Sequence, residues 1–445
     1  MLPSAIMGAT SPAVRQRGKV AKPPRGGARP APSRRVRTQA GPGPAAAVRQ
    51  AQVAQGQATH LALMVSPTER GTFRSQARAV WSALRAALEQ PPGTKAITAL
   101  TVFLKDPRQQ RECERVCADG LGPERPFINY VWQPPCDGAA LALEAWAIGG
   151  PAVRCERRGP HALVVDCDGV RWVYCAGIQA AARGVYRQTL AALAQSRAAL
   201  ARAGSRFERV VRTWFYLGGI TEPEAETWRY QELNRARTDF YRAVRFHGAA
   251  PDPGAAAGIY PASTGIGMRG RKLALSCLAL ETRRSDVHLR ALENPRQIPA
   301  YAYDARYSPQ SPKFSRAVAL RVGDHVTTWI SGTASIVNSE TRHPDGVEHQ
   351  TEQTIDNIER LIAADNFARH GLAGAGARLR DLAGIRVYLK RPADWKRCRA
   401  ICERRFGPVP ALYVVADICR PELRVEIEGV AFSRLGAPPA PREVA

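Results

Sequence analysis

A chain of 445 residues, 45% of them hydrophobic, has enough apolar material for roughly two to four compact domains. Its net charge of +25 invites a nucleic-acid reading, yet residues 1–68 hold no Asp or Glu while ten Lys or Arg fall within the first fifty. Much of the excess is therefore a tail feature; the other arginines recur on helix faces without interleaved aromatics, which argues against RNA binding, and the absence of any window near 18 consecutive apolar residues excludes a spanning helix.

Residues 1–55, rich in Pro, Gly, Ala and Arg without periodic hydrophobics, are expected to be a disordered tail. Their Arg-rich makeup is similar to a transit peptide, but PPRGGARPAPSRR forms no amphipathic helix, and Met64 stands as an internal start candidate. A first unit is predicted over 56–150: GTFRSQ from Gly71 opens a helix, LTVFL ends at Leu104, 33 residues on, and GAALALEAWAIG from Gly138 to Gly149 is a closing strand.

A second unit, 151–285, repeats the plan. VVDCDGVRWVYCAG places an Asp-Gly turn between apolar runs, as hairpins prefer; QTLAALAQSRAALARAG has apolar positions at three and four and stops at Gly204. RTWFYL ends at Leu217, 33 residues after Gly184 of GVYRQT; the helix YQELNRARTDFY, the segment PASTGIG and the strand RKLALSCLALE follow. Residues 286–312 are read as a connecting segment and 313–436 as a third unit, with the hairpin AVALRVGDHVTTWISG, the helix from GVEHQT at Gly346, the strand IRVYL ending at Leu389 and the closing strand ELRVEIEGVA. Residues 437–445 are a tail.

The repeats are in register. FLKDPRQQRECERVC and YLKRPADWKRCRAIC hold Leu104/Leu389, Lys105/Lys390, Cys113/Cys398, Cys117/Cys402 and Gly122-Pro123/Gly407-Pro408 at one offset. Each unit reads β-β-α-β-α-β, which predicts an α/β (α+β) fold with two helices on one face of each sheet. The ten cysteines are dispersed through apolar segments, the usage of a reduced, intracellular chain. Cys113/Cys117 and Cys398/Cys402 have no His or Cys partner at zinc spacing and read as small residues facing a sheet, so no metal or cofactor is called for.

The spacing QT, helix, strand, helix, P-A-x-x, strand ending in VEIE resembles the RidA (YjgF) family, three times over residues 60–435. That resemblance implies an intramolecular pseudo-trimer, monomeric, with its best pocket between units two and three. RidA deaminases place an Arg after P-A and a Glu in the last strand; the matching positions here are Phe127, Ser263 and Leu412, and Glu144, Ser276 and Glu428. The deaminase set is broken in every unit. A narrower likeness, carried by RTWFYL, YQELNRAR, PASTGIG, YDARYSPQSPKFSRA and WISGTASIVNSETRHP with QTEQTIDNI, is to the chorismatase/3-hydroxybenzoate synthase family. It implies a cytoplasmic enzyme that removes pyruvate from chorismate, leaving 3-hydroxybenzoate, 4-hydroxybenzoate or a dihydroxycyclohexadiene carboxylate, with no nucleic-acid or membrane partner. A Rid-like enamine/imine deaminase and a non-catalytic small-molecule-binding protein are the other readings.

Cleaving an enolpyruvyl ether begins with protonation of its methylene carbon, which needs a carboxylic acid kept protonated by burial. Glu340, after the GTASI turn, is the expected acid, with Glu428 next. A dianionic substrate needs guanidinium forks: Arg316 in FSRA first, then Arg237 and Arg212. Tyr216, Tyr303 and Tyr307 are expected to line the pocket, and two small-residue segments, Ser263, Thr264 and Gly265 in STGIG and Gly332, Thr333 and Ala334 in SGTAS, to let ligand approach the backbone. Ser263 and Ala334 are where the ring's fate would be directed.

Overall fold

Three two-residue turns set the frame of the molecule. In the computed structural model Asp168 and Gly169 both take positive φ (49° and 74°), the geometry that lets a two-residue loop follow the twist of its strands. Gly56 (φ 56°) and Gly323 (φ 60°) start the corresponding loops of the other units. The structure describes residues 35–39, 45–90, 95–121, 126–246, 260–304, 307 and 309–436. The expected tails up to residue 34 and over 437–445, and Gly122-Pro123, lie outside the described residues.

Unit one comprises β1 (Arg35–Gln39), β2 (Ala46–Gln55), β3 (Ala58–Pro67), α1 (Phe73–Leu88), β4 (Ala96–Leu104), α2 (Gln110–Leu121), β5 (Ile128–Val131) and β6 (Leu141–Gly149). Unit two comprises β7 (Arg154–Arg158), β8 (Ala162–Cys167), β9 (Val170–Gln179), α3 (Val185–Arg202), β10 (Val210–Gly218), the short pair β11 (Pro223–Glu224) and β12 (Thr227–Trp228), α4 (Arg229–Tyr241), β13 (Ala262–Met268) and β14 (Leu273–Thr282). Unit three comprises β15 (Val287–Leu292), β16 (Ala317–Val322), β17 (His325–Ala334), the short pair β18 (Ile336–Val337) and β19 (Glu340–Thr341), α5 (Val347–Ile362), α6 (Ala364–Arg369), β20 (Leu382–Leu389), α7 (Trp395–Phe406), β21 (Ala411–Val415) and β22 (Val425–Arg434).

The three main sheets have one strand order: β1-β2-β3-β6-β4-β5, β7-β8-β9-β14-β10-β13 and β15-β16-β17-β22-β20-β21. The expected β-β-α-β-α-β order is present, but each sheet has six strands rather than four. The additions are a leading edge strand and a short strand parallel to β4, β10 or β20. Both kinds lack a readable pattern: β7 is RCERR, exposed throughout, and β5 has four residues. Two expected boundaries also move. β2, whose buried side is mainly small or polar (Ala46, Val48, Gln50, Ala51), lies inside the segment expected to be tail; β15 opens the third sheet from within the segment expected to be a connector.

Helices cover one face of each sheet. In unit one Phe73, Ala77, Val80, Trp81, Leu84 and Leu88 of α1 pack on β2, β3 and β6, and Cys113 and Cys117 of α2 are buried in the same core. Cys398 and Cys402 of α7 hold the equivalent place in unit three. The opposite sheet faces meet one another: Met64 and Phe103 of unit one, Tyr216 and Ile266 of unit two, and Ala334, Tyr388 and Leu412 of unit three form one shared core.

Backbone bonds stitch the junctions. Arg269 N donates to Trp132 O (2.9 Å), Gly267 N to Asp417 O (2.8 Å) and Val415 N to Pro134 O (2.8 Å). The chain is thus an intramolecular trimer of like units. Among the described residues no helix is long and apolar enough to cross a membrane.

The junctions leave no room for side chains where backbones meet. A Cβ at Gly267 would lie 2.5 Å from Asp417 O. Gly267→Ala should therefore destabilise the protein by about 1–3 kcal/mol, read as a lower midpoint in denaturant unfolding.

Candidate active site

Strand alternation puts Glu426 and Glu428 of β22 on the same face of the third sheet, the one turned toward the other units. Both are buried, at 4% and 3% exposure. Their surroundings give them opposite protonation states.

Glu428 sits in a knot of charges drawn from all three units. It accepts from Arg212 and Thr264 of unit two, from Trp214 Nε1 (3.1 Å) and from Tyr388 Oη (2.8 Å), and its Oε1 lies 2.9 Å from Arg386 Nη1. Arg386 also donates to Tyr216 Oη (2.6 Å) and pairs with Glu144 of unit one, whose other oxygen accepts from Trp146 Nε1 (2.6 Å). Burial alone would raise the Glu428 pKa, but Arg386 and Arg212, with the hydrogen bonds of Thr264 and Tyr388, hold it below the ordinary carboxylate range. It is a fixed anion.

Glu426 instead faces a cavity between units two and three. Unit two contributes Tyr230, Asn234, Arg237, Ser263 and Gly265 to its wall; unit three contributes Tyr303, Tyr307, Phe314, Arg316, Gly332, Ala334, Cys419 and Arg420. Burial, reinforced by the negative charge of Glu428 and opposed by Arg212 and Arg316, pushes the Glu426 carboxyl up to about 8. At neutral pH it carries a proton. Gly332 makes this placement possible, because a Cβ there would strike Glu426 Oε1 and press on Thr264 Cγ2 at 3.2 Å.

Three guanidinium groups face this protonated acid. Arg237 donates from Nη2 to Asn234 Oδ1 (2.7 Å) and from Nη1 to Ser263 Oγ (3.4 Å). Arg316 donates from Nη2 to Ile298 O (3.2 Å) and to Tyr303 Oη. Arg420 donates to Ser339 O (2.9 Å) and lies 4.2 Å from the centroid of the Tyr307 ring. The Nε atoms of Arg237 and Arg316 are buried without an acceptor among the described residues. Unmade bonds of that kind are costly, and a ligand carboxylate is the acceptor that guanidinium geometry matches. The cavity is built for a compact polyanion.

Of the expected site residues, Arg316, Arg237, Tyr303, Tyr307, Ser263, Gly265, Gly332 and Ala334 line the cavity. Arg212, Tyr216 and Thr264 stand one layer behind, in the knot; Thr264 Oγ1 accepts from Gly332 N (3.0 Å), joining the two. Thr333 is absent from the wall, and its hydroxyl donates to Ser331 O (2.9 Å). Glu340 is not brought to the cavity. It lies in β19 with its side chain 50% exposed, one oxygen 3.8 Å from Arg342. The chain leaves the wall after Ile336 through the β18–β19 hairpin, where Asn338 takes φ 55°, so proximity in sequence to SGTAS does not become proximity in space.

Glu426, Tyr230, Asn234, Cys419 and Arg420 were missed. VEIE did carry a signal for the first: two acids two apart on a strand otherwise fit for burial require partners or a purpose.

Three six-stranded units of one topology in one chain, two of them enclosing a cavity with a protonated carboxyl, define the class of protein. A crystal structure of a chorismatase has this fold: it covers 75% of this chain and 92% of its own at 23% identity, with a TM-score of 0.56. Among curated proteins, a 3-hydroxybenzoate synthase of Streptomyces hygroscopicus is 38% identical over 232 residues, and a chorismatase of Streptomyces rapamycinicus 36% identical over 231. These matches take in 51% and 50% of this chain, and span 64% of the length of each relative. No family model matches the chain.

Two measurements test the site. Since folding raises the Glu426 pKa to about 8, the carboxyl's contribution to stability is intact below its unfolded value near 4.3 and is lost progressively as pH rises to about 8. Glu426→Gln, which cannot ionise, should accordingly gain in melting temperature over the parent protein between pH 5 and pH 8. Gly332→Ala should displace the acid and lower turnover by roughly a hundredfold while the fold is retained, as read by circular dichroism.

Proposed function

We propose that this protein is a chorismatase: it removes pyruvate from the enolpyruvyl ether of chorismate and leaves 3-hydroxybenzoate, 4-hydroxybenzoate or the dihydroxycyclohexadiene carboxylate. The observation that carries the reading is a buried, protonated Glu426 facing Arg237, Arg316 and Arg420 across one cavity. In this scheme the arginines take the two carboxylates of chorismate. Glu426 delivers its proton to the enolpyruvyl methylene carbon, and the carboxylate that remains steadies the resulting oxocarbenium ion. Water adds to that cation, and collapse of the hemiketal breaks the ether bond, releases pyruvate and leaves the diene diol, which loses one water from the ring where a hydroxybenzoate is the product. Tyr303 and Tyr307 flank the ring. The curated relatives named chorismatase and 3-hydroxybenzoate synthase support the same substrate class. The chain would act as a monomeric pseudo-trimer in the cytoplasm.

The strand register supports one site per chain. Glu426 stands opposite Tyr388 in the third sheet; the residues opposite the equivalent Phe103 and Tyr216 are Ala142 and Ala274. A deaminase reading lacks its arginine, since β5, β13 and β21, the strands that would carry it, contain none.

Incubation of the purified protein with chorismate, with pyruvate assayed enzymatically and aromatic products identified by mass spectrometry, tests the reading; no pyruvate release would end it. Glu426→Gln should slow pyruvate release by roughly two to four orders of magnitude with KM little changed, whereas Glu340→Gln should stay within about twofold of the parent. The kcat/KM profile should fall as pH rises above about 8, where the free enzyme's Glu426 loses its proton.

A further inference from the structure

Among the described residues unit one gives none to the cavity, yet its Glu144 reaches the charged knot behind it. The route is short. Glu144 pairs with Arg386, Arg386 with Glu428, and Glu428 lies two residues from Glu426 on the same face of β22. All four side chains are at least nine-tenths buried, so little water screens the charges from one another.

From this arrangement we propose that Glu428 is a positioning residue for the acid Glu426, fixed by a clamp that spans all three units: Arg212 from the second, Arg386 from the third, and Glu144 from the first holding Arg386 in place. This rests on the chorismatase reading of the cavity. The geometry separates two jobs that a lone buried carboxyl could not do together. Glu428 takes five cationic and hydrogen-bonding partners: Arg212, Arg386, Thr264, Trp214 and Tyr388. Glu426 is left facing ligand space with the anion of Glu428 behind it.

The groups facing Glu426 are few and named. Arg212 and Arg316 favour its anion, Glu428 opposes it, and Arg237, Arg420, Tyr230, Tyr303, Tyr307 and Cys419 are the other charged or titratable groups of the wall. Cys419, pushed up to about 12 by burial and by the neighbouring Glu426, stays a neutral thiol. The balance therefore turns on Glu428. Removing its charge leaves Arg212 without its carboxylate partner and Arg386 with Glu144 alone, and both changes favour loss of the Glu426 proton.

The test is the pH profile of kcat/KM for chorismate, first in the parent protein. If the parent releases no pyruvate, the functional reading fails and this inference falls with it. If the parent is active with its alkaline limb near pH 8, Glu428→Gln should move that limb down by about one pH unit or more, with KM at pH 6 changed less than about threefold. Glu428→Asp, which keeps the charge, should restore the limb to within a few tenths of a unit.

Glu144→Gln leaves Glu428 and its hydrogen-bond donors intact while freeing the Arg386 charge, and should move the limb in the same direction by a smaller amount. It carries the test if Glu428→Gln does not fold. Folded, active variants with lower melting temperatures but an unmoved limb would overturn the inference, because a purely structural knot changes stability without changing when Glu426 loses its proton.

Discussion

Everything in this protein hangs on where four buried charges meet. Glu144, Arg386, Glu428 and Arg212 come from strands of three separate sheets and converge where the sheet faces opposite the helices press together. Taking such groups out of water is unfavourable by several kcal/mol per ion unless pairing and hydrogen bonds are nearly complete. Here each is paired, and Tyr216, Tyr388, Thr264, Trp214 and Trp146 supply further hydrogen bonds. The arrangement is possible only when all three units are docked, so the knot ties the internal trimer to a single register.

That register fixes the chemistry of the cavity beside it. Alternation along β22 sets two carboxyls on one face, and the partners available to each decide their protonation states. One is saturated with cations and hydroxyls and is held as an anion; the other is buried beside that anion, with no ion pair of its own among the described residues, and keeps its proton. Pairs of acids driven apart in this way are a recurrent means of running acid catalysis near neutral pH. The enclosing arginines add the electrostatic half of the site, and the Nε donors of Arg237 and Arg316 are satisfied by no group among the described residues.

The repetition is strict in topology and loose in chemistry. One strand order serves all three sheets, but the position of Glu426 is alanine in units one and two, and the position of Glu428 is Ser276 in unit two. Three equal sheets therefore do not make three equal sites. Unit one is a structural brace carrying one charge, Glu144, into the centre. Unit two brings α4 with Asn234 and Arg237, and unit three brings the acid.

The sequence by itself determined the repeated architecture and much of the cavity wall. Hairpin turns such as Asp168-Gly169 and apolar helix periodicity are local signals, and the repeated Leu, Lys and Cys positions mark equivalent places in a fold. Arg316, Arg237, Ser263 and Gly332 were legible because guanidinium forks and small-residue segments have a chemistry that does not depend on distant neighbours. The tertiary structure alone decided which carboxyl faces the cavity. Glu340 lies five residues beyond Ser335 of the SGTAS segment, yet a hairpin turns it into solvent, while Glu426, far along the chain, is carried into the cavity by the third sheet. The protonation of a carboxyl depends on burial and on charges from other strands, and those are set by packing between units rather than by residues nearby in sequence. For the same reason strands with little pattern of their own, such as β2 and β7, could be placed only once the neighbouring strands that pair with them were in position.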